Sequence, residues 1–278
     1  MPAIKSVYMM TDLEGVAGVD AWDPRHTDYA EQAKGVYERA EMQRLLTGEV
    51  NAAAAELFEA GVEEILINDA HGAGRTILPE ELISGVHLAR GINRPSWLLG
   101  IAPRFDALVQ VGMHAMGGTP NACLAHSMSK DTRYRVNDEA IGEMEMAALL
   151  AGHLDIPWIF TAGDAHACRE SVRWVPDIAT AAVKEGLAEQ CAIHLSPVDA
   201  RNLIREQIQE AIIRAERISP LTIDGPTTID IERDDPWPAT LKPGAERLDA
   251  FTLRYSGENF WTTFHHIFYN KADFPLPA

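Results

Sequence analysis

The chain has 278 residues, of which 46% are hydrophobic, which is enough to bury a substantial core in about two domains. Its formal net charge of −17 argues against a nucleic-acid-binding protein, because phosphate binding needs a face rich in Lys and Arg. Three widely spaced cysteines without a C-x-x-C pair favour a reducing cytoplasm over a disulfide framework, and no apolar run is as long as a membrane span.

Short apolar runs and longer helical stretches alternate between residues 4 and 180, which is typical of a mainly parallel sheet covered by helices. A helix is predicted from about Tyr37 to Ala60, where Gly61 ends it. A second amphipathic helix is predicted over residues 138–154, with Ile141 on its apolar face and Glu143 in its opening turn. The sequence therefore predicts an α/β fold whose strands include Val7–Met10, Glu64–Ile67, Ala107–Val111 and Trp158–Ala162.

The pattern changes after Pro176. Strands ATAAV and AIHL are followed by a helix that Ser196 caps and Pro197 opens, then by strands TTIDIE and LDAFTLRYS and an aromatic-rich closing helix, NFWTTFHHIFY. We predict a smaller C-terminal α+β domain over residues 185–278 beside a larger α/β domain over residues 1–184. The aromatic-rich tail of the smaller domain is a candidate for contacts between subunits.

Two acidic residues follow the first predicted strand, in the stretch TDLEG. Because side chains alternate along a strand, Asp12 and Glu14 project to one side from its carboxyl end, where ligands bind in open α/β sheets. Two carboxylates this close repel each other unless a proton, a metal ion, or an Arg or Lys partner lies between them. For the pair on its own, a solvated acidic loop is the more ordinary interpretation.

The next two strands end in the same way. LINDAHGAG places His71 in a glycine-bounded loop after the second strand, and LVQVGMHAM places His114 just after the third. Asp69, two positions before His71, is either an acceptor that orients the imidazole or a capping residue. A single loop histidine is ordinarily unremarkable, so only the recurrence at successive strand ends indicates a site.

Two more segments extend this set. CLAHSMS offers His126 beside Ser127, and NDEAIGE places Glu143 at the start of a helix. Asp, Glu and two His side chains at strand ends along one sheet edge predict a metal site. A set of His and carboxylate ligands without cysteine favours zinc, with Mn, Fe or Co as substitutes. A serine nucleophile at Ser127 is not predicted, because no G-x-S-x-G turn surrounds it.

The ordered motifs T-D-L-E-G, N-D-A-H, G-x-H-A, A-H-S-M and N-x-x-x-I-G-E resemble those of the DppA-type D-aminopeptidase family (M55), which are zinc metallopeptidases. The likeness covers about the first 185 residues and continues more faintly through residues 195–197. It implies two zinc ions per subunit, a catalytic role for His126, and a ring-like homodecamer whose channel admits small or unfolded peptides. The metal ligands that it implies are Asp12, which would bridge both ions, Glu14, His71, His114 and Glu143.

The resemblance also implies a reaction, in which a metal-bridged hydroxide attacks the N-terminal peptide bond of a short peptide, with D-amino acids as the expected products. His126 would stabilise the oxyanion or carry the proton to the leaving amine. The substrate α-amine would be bound by a metal ion or by a spare acid such as Glu145 or Asp164. The sequence departs from the family pattern in carrying Glu145 after the ligand glutamate and in reading D-A-H where D-S-H is more usual.

Two other functions stay open at the level of sequence. One keeps the metal ions but makes the protein an amidase or esterase for another small acyl compound. The other is a non-catalytic metal-binding assembly protein, which would more often close its coordination shell than leave positions open for water and substrate. In each case we expect a cytoplasmic homo-oligomer that binds neither nucleic acid nor membrane.

Overall fold

The computed structural model describes residues 4–26, 32–72, 74–269 and 275–277. Within these residues the strands, in chain order, are β1 (Ser6–Thr11), β2 (Glu64–Asp69), β3 (Val86–Ala89), β4 (Ala107–Met113), β5 (Thr132–Val136), β6 (Glu139–Ile141), β7 (Trp158–Asp164), β8 (Ala179–Ala188), β9 (Cys191–His194), β10 (Thr227–Arg233), β11 (Glu246–Arg247) and β12 (Thr252–Gly257). The α-helices are α1 (Ala33–Glu59), α2 (Glu143–Gly152), α3 (Ala165–Trp174), α4 (Pro197–Arg214) and α5 (Phe260–Tyr269). Short 3-10 helices occur at Pro24–His26, Pro79–Glu81 and Ala215–Arg217.

The larger sheet has the strand order β3-β2-β1-β4-β7-β8-β9. Every neighbouring pair in it is parallel except β8 and β9. Strands β1, β4 and β7 are buried along their whole length, as expected for central strands covered on both faces. Helices α3 and α4 pack on β7 and β8, and α4 also packs on α1. The predicted α/β fold with a mainly parallel sheet is therefore confirmed.

The smaller sheet is antiparallel, with the order β11-β12-β10-β5-β6, and α5 packs against β10 and β12. This is the smaller α+β unit that the sequence predicts. The division of the chain at residues 184 and 185 stays a prediction. Strands β5 and β6, which precede that point, pair into the smaller sheet, whereas β9 and α4, which follow it, lie with the larger one.

Two helix boundaries illustrate how local chemistry sets the fold. Ser196 caps α4 by accepting a hydrogen bond from the backbone N–H of Asp199, with Pro197 at the first position, as predicted. The helix predicted over 138–154 begins only at Glu143, so its first part is wrong, and Ile141 lies in β6 instead. The reason is a two-residue hairpin turn, Asn137–Asp138, in which both residues have positive φ, the conformation that the tightest hairpins need.

None of the helices in the described part of the chain combines the length and the apolar character needed to cross a membrane.

Candidate metal centre

The register of three central strands brings the candidate ligands together. Thr11 at the end of β1 pairs with Asp69 of β2 on one side and with Val111 of β4 on the other. Because the pairing is parallel, the residues that follow these three leave the sheet at one edge. Asp12 comes directly after β1, and its N–H donates to the carbonyl of Val111 at 2.9 Å. The loops that carry His71 and His114 begin beside it.

Two glycines allow these loops to approach each other closely. A Cβ on Gly112, which has a φ of +81°, would lie 2.1 Å from the carbonyl oxygen of Asp12. A Cβ on Gly15 would lie 1.9 Å from the carbonyl oxygen of Met113. Any larger residue at either position would push the β1 and β4 loops apart. The glycine in the TDLEG motif therefore has a steric role next to the candidate ligands.

All five candidate ligands are buried and lie in one cluster. Two groups consist only of these five residues, Asp12–Glu14–His71 and Asp12–His114–Glu143, and a third group joins Glu14 and His114 to His126. Within each group the potential ligand atoms lie within 4.8 Å of one another. The structure therefore brings together every residue that the sequence singles out as a ligand, and Asp12 is the residue shared by the two groups that contain only these ligands.

The imidazole of His71 lies between carboxylates on both of its sides. Its Nδ1 is 2.9 Å from Asp12 Oδ1 and 3.0 Å from Glu14 Oε2, while its Nε2 is 3.2 Å from Asp23 Oδ2. A carboxylate behind the distal nitrogen of a ligating histidine fixes the tautomer and the orientation of the ring. The structure thus assigns the orienting position behind His71 to Asp23, which the sequence reasoning missed.

Asp23 is itself held in place by two arginines. Its carboxylate is buried and forms ion pairs with Arg25 at 2.8 Å and with Arg39 at 3.3 Å. Burial alone would raise the pKa of Asp23, but the hydrogen bond from His71 and the contacts with Arg25 lower it to about 2. Asp23 therefore remains an anion and an acceptor. The prediction that Asp69 has this role or caps a helix is wrong, because its Oδ2 accepts hydrogen bonds from Thr76 and Ile77 in its own loop.

His114 is oriented by a backbone group. Its Nδ1–H donates to the carbonyl of Ala115 at 2.9 Å, so Nε2 is the nitrogen that faces the cluster. This Nε2 lies 3.3 Å from Asp12 Oδ2 and 3.7 Å from Glu143 Oε1. The other oxygen of Glu143 accepts a hydrogen bond from the backbone N–H of Met128 at 2.7 Å. In a neutral imidazole with this tautomer, a lone pair faces two carboxylates, an arrangement that requires a proton or a metal ion between them.

Burial dominates the electrostatics of the cluster. It raises the pKa of Asp12, and the Glu14 carboxylate raises it further. Burial would also raise the pKa of Glu14 and Glu143, but His71 lowers the pKa of Glu14 well below its ordinary value and His114 lowers that of Glu143 to about 2. The carboxylates in turn raise the pKa of both imidazoles well above the ordinary value, despite burial. The cluster therefore needs positive charge among its carboxylates.

The donor set fits a divalent metal ion. Glu14 Oε2 is buried against Nδ1 of His71, and His114 Nε2 is buried without a hydrogen bond in the described part of the chain. No Lys or Arg in the described part of the chain forms an ion pair with Asp12, Glu14 or Glu143. The groups present are three carboxylates and two imidazoles without a thiolate. Such a mixed oxygen and nitrogen set suits zinc and the neighbouring first-row metals.

His126 lies at the edge of the cluster. Its ring stacks on that of His114 with centroids 3.9 Å apart, and its Nδ1–H donates to the carbonyl of Leu124 at 2.9 Å. Nε2 is therefore the nitrogen available to a bound molecule. A cavity of about 410 Å³ opens over the site, and its walls include Trp22, Trp97, His126, Lys130 and four of the candidate ligands, Asp12, Glu14, His71 and Glu143.

Three other ionisable residues, Glu145, Asp164 and Lys184, are buried. Glu145 is buried and accepts a hydrogen bond from the N–H of Gly142, and Asp164 caps α3. Neither lines the cavity, so the expectation that one of them binds the substrate α-amine is wrong. Lys184, which the sequence reasoning also missed, is buried, and its ammonium donates to the backbone carbonyls of Glu14 and Val19. A lone lysine in the apolar strand ATAAVKEGL is the sequence signal for it.

The chain is similar to known proteins in both sequence and structure. The family model described as D-aminopeptidase (Peptidase_M55) matches residues 6–268. A D-aminopeptidase of Bacillus subtilis (strain 168) is 32% identical over 246 residues, which are 86% of each chain. A solved structure described as the Zn-dependent D-aminopeptidase DppA from Bacillus subtilis, a self-compartmentalizing protease, superposes with a TM-score of 0.85 at 28% identity. The match covers 94% of this chain and 95% of that one.

These matches run through both sheets and include every candidate ligand. They confirm the predictions of this family and of a metal-dependent hydrolase. The chain belongs to the D-aminopeptidase family.

Proposed function

We propose that the protein is a zinc-dependent aminopeptidase that holds two metal ions per subunit and releases N-terminal residues, D-amino acids in particular, from short peptides. The observation that carries this proposal is the sharing of Asp12 between two ligand groups. The preference for zinc and for D-residues is supported by the descriptions of the Bacillus subtilis relatives.

In this proposal one metal ion is held by Asp12, Glu14 and His71, and the other by Asp12, His114 and Glu143. When bound, zinc supplies Lewis acidity, which lowers the pKa of water and polarises the scissile carbonyl. Asp23 keeps the ring of His71 in the tautomer whose Nδ1 faces the cluster. The Ala115 carbonyl does the same for the Nε2 of His114.

His126 is the proposed catalytic residue. Hydrolysis adds the hydroxyl of a water molecule to the carbonyl carbon, breaks the C–N bond and leaves a proton on the departing amine. Because the Nδ1–H of His126 is engaged by Leu124, its Nε2 is the atom that carries this proton or stabilises the oxyanion. The rings of Trp22 and Trp97 also line the cavity, and Trp22 meets the ring of His126 edge to face.

We also propose that the protein forms a closed homo-oligomer, a decamer, in the cytoplasm, with the active sites facing an inner compartment. Support comes from the related structure, which is described as self-compartmentalizing. Large apolar side chains are exposed on α1 and α4, where Tyr37 is 78% and Ile213 66% exposed. Exposed apolar side chains on neighbouring helices are typical of surfaces that bury in an assembly.

The test is metal analysis combined with an assay. We expect about two zinc ions per chain, release of D-alanine from D-alanine p-nitroanilide faster than L-alanine from its L counterpart, and loss of activity on chelation. Asp12→Ala should abolish activity, whereas Glu59→Ala, which removes an exposed acid at the end of α1, should not. Activity that survives chelation or Asp12→Ala would disprove the proposal.

The same assay separates the other functions. Turnover of esters or simple amides without peptide hydrolysis would favour an amidase or esterase. Stoichiometric metal with no turnover of any acyl substrate would favour a metal-binding assembly protein.

A further inference from the structure

Lys130 differs from the other charged residues that line the cavity over the candidate metal centre. The charged side chains that line this cavity are the acids Asp12, Glu14, Asp23 and Glu143, apart from Lys130 and the histidines. Lys130 lies on the segment that follows His126 and lines the same cavity as the cluster. Among the described residues that line this cavity, it is the one Lys or Arg that a substrate would meet.

The ammonium of Lys130 is positioned by an aromatic ring. Its Nζ lies 3.8 Å from the centroid of Trp22, and Trp22 meets His126 edge to face with centroids 5.3 Å apart. The Trp22 ring thus lies in contact with both Lys130 and the proposed catalytic imidazole. A cation over an indole face is held in place without losing its charge.

Lys130 is also available for an anion. In the described part of the chain, no carboxylate lies within ion-pair distance of its Nζ, and the side chain is exposed to the cavity. Burial at the cavity wall lowers the pKa of Lys130, while the charges of Glu189 and Glu14 raise it. The Glu14 carboxylate therefore acts on Lys130 across the cavity, but a bound ligand with its own carboxylate could approach the ammonium directly.

The orientation of the substrate in the proposed reaction brings its C-terminal carboxylate toward Lys130. In the proposed function the α-amine and the scissile carbonyl lie at the metal ligands, and His126 passes a proton to the leaving amine. The leaving residue therefore lies on the His126 side of the cavity, which is the side of Trp22 and Lys130. One extended residue spans only about 3.5 Å, so the C-terminus of a dipeptide or tripeptide falls close to the scissile bond.

We propose that Lys130 is a specificity-determining residue that binds the free C-terminal carboxylate of short peptides and so selects dipeptides and tripeptides over longer or C-terminally blocked chains. This inference rests on the proposed function. A charge-assisted pair between an ammonium and a carboxylate in a partly enclosed cavity is strong enough to discriminate between a free and a blocked terminus.

The experiment compares two substrates that differ only at the C-terminus, D-alanyl-D-alanine and D-alanyl-D-alanine amide. Initial rates of peptide-bond hydrolysis are measured with the zinc-loaded wild type, Lys130→Met, Lys130→Arg and Lys5→Met. Each cleavage releases two D-alanine molecules from the free acid and one from the amide, so the D-alanine yield of the free acid is halved. Lys130→Met keeps an unbranched side chain against Trp22 but removes the charge. Lys5→Met is the matched control, because it removes the same charge at the opposite end of β1, where Lys5 pairs with exposed Glu63.

We expect the wild type to prefer the free acid by about tenfold or more in kcat/KM. Lys130→Met should reduce this preference to near unity, mainly by raising KM for the free acid, whereas Lys130→Arg and Lys5→Met should retain it. Added salt should weaken the preference in the wild type, because it screens an exposed ion pair.

Two outcomes overturn the inference in distinguishable ways. The first is that the wild type hydrolyses both substrates equally well, or that Lys130→Met lowers both rates by the same factor. Lys130 then does not bind the C-terminal carboxylate, and the proposed aminopeptidase function stands. If the zinc-loaded wild type releases D-alanine from neither substrate, the proposed function fails and the inference fails with it.

Discussion

The rings of His114 and His126 stack face to face, with centroids 3.9 Å apart and an interplanar angle of 15°. His114 is one of the five candidate ligands, and His126, which forms a further group of potential ligand atoms with Glu14 and His114, lines the open cavity. Both are tethered by a donated hydrogen bond from Nδ1 to a nearby backbone carbonyl. The stack therefore fixes the proposed catalytic imidazole relative to the metal centre, independently of any substrate.

His126→Ala should separate catalysis from metal binding. General acid–base catalysis typically contributes about 10²- to 10⁴-fold, so we expect kcat to fall by that factor. Metal content should remain near that of the wild type, since five other ligands hold the ions in the proposed site. Inductively coupled plasma mass spectrometry and steady-state kinetics on one preparation check both. A variant that loses metal in proportion to activity would instead make His126 a ligand.

Single-ligand variants should lose metal in a graded pattern. Asp12 is common to the groups Asp12–Glu14–His71 and Asp12–His114–Glu143, whereas His71 belongs only to the first of these two groups and His114 only to the second. We expect Asp12→Ala to lose both ions, and His71→Ala and His114→Ala to lose about one each. Metal-to-protein ratios after dialysis against a weak chelator measure this. Equal losses in all three variants would show that the two groups do not act as separate sites.

Asp23→Asn should weaken metal binding without removing a ligand. The Asp23 carboxylate lies 3.2 Å from Nε2 of His71 and fixes the ring, and removing such a partner typically costs about 10- to 100-fold in metal affinity. Competition with a chromophoric chelator gives the affinity. Asp20→Asn is the matched control, because Asp20 is close in sequence but more than half exposed. If both variants bind metal as the wild type does, Asp23 does not support the site.

Glu49 should make the stability of the protein depend on pH. Burial raises its pKa to about 7, although the N–H of Ala17 and the charges of Lys184 and Arg201 act to lower it. Between the ordinary pKa of about 4.5 and this value, the folded protein holds a proton that the unfolded chain has released. The contribution of Glu49 to the free energy of unfolding therefore falls as the pH rises through this window.

Glu49→Gln should remove that dependence. Relative to the wild type, the variant should gain stability on going from pH 5 to pH 8, by up to an amount on the order of 3 kcal/mol. Urea denaturation of chelator-treated protein at a series of pH values measures the difference, with Glu59→Gln as an exposed control. A difference that is constant with pH would contradict the prediction.

The sequence by itself determined four central strands of the larger sheet, β1, β2, β4 and β7, and the residues at their ends that became candidate ligands. Both are local properties of the sequence. A short apolar run predicts a buried parallel strand, and the polar residues that follow the run mark the carboxyl end of that strand. Asp12 and Glu14 follow β1, His71 follows β2 and His114 follows β4, so the rule that ligands bind at these ends placed them at one edge. The family resemblance added the selection of the five ligands from these candidates, the expectation of two ions and the role of His126.

Only the tertiary structure decided which groups surround that cluster. Asp23 reaches His71 across 48 positions of sequence, and Lys184 reaches the carbonyl of Glu14 across 170, and no local pattern encodes such pairs. The Asn137–Asp138 turn joins β5 to β6, but the pairing of β5 with β10 joins segments about a hundred residues apart. The packing of the layers determines which buried polar groups lie next to each other. Because buried polar groups form hydrogen bonds with the groups that surround them, the fold decides these pairs.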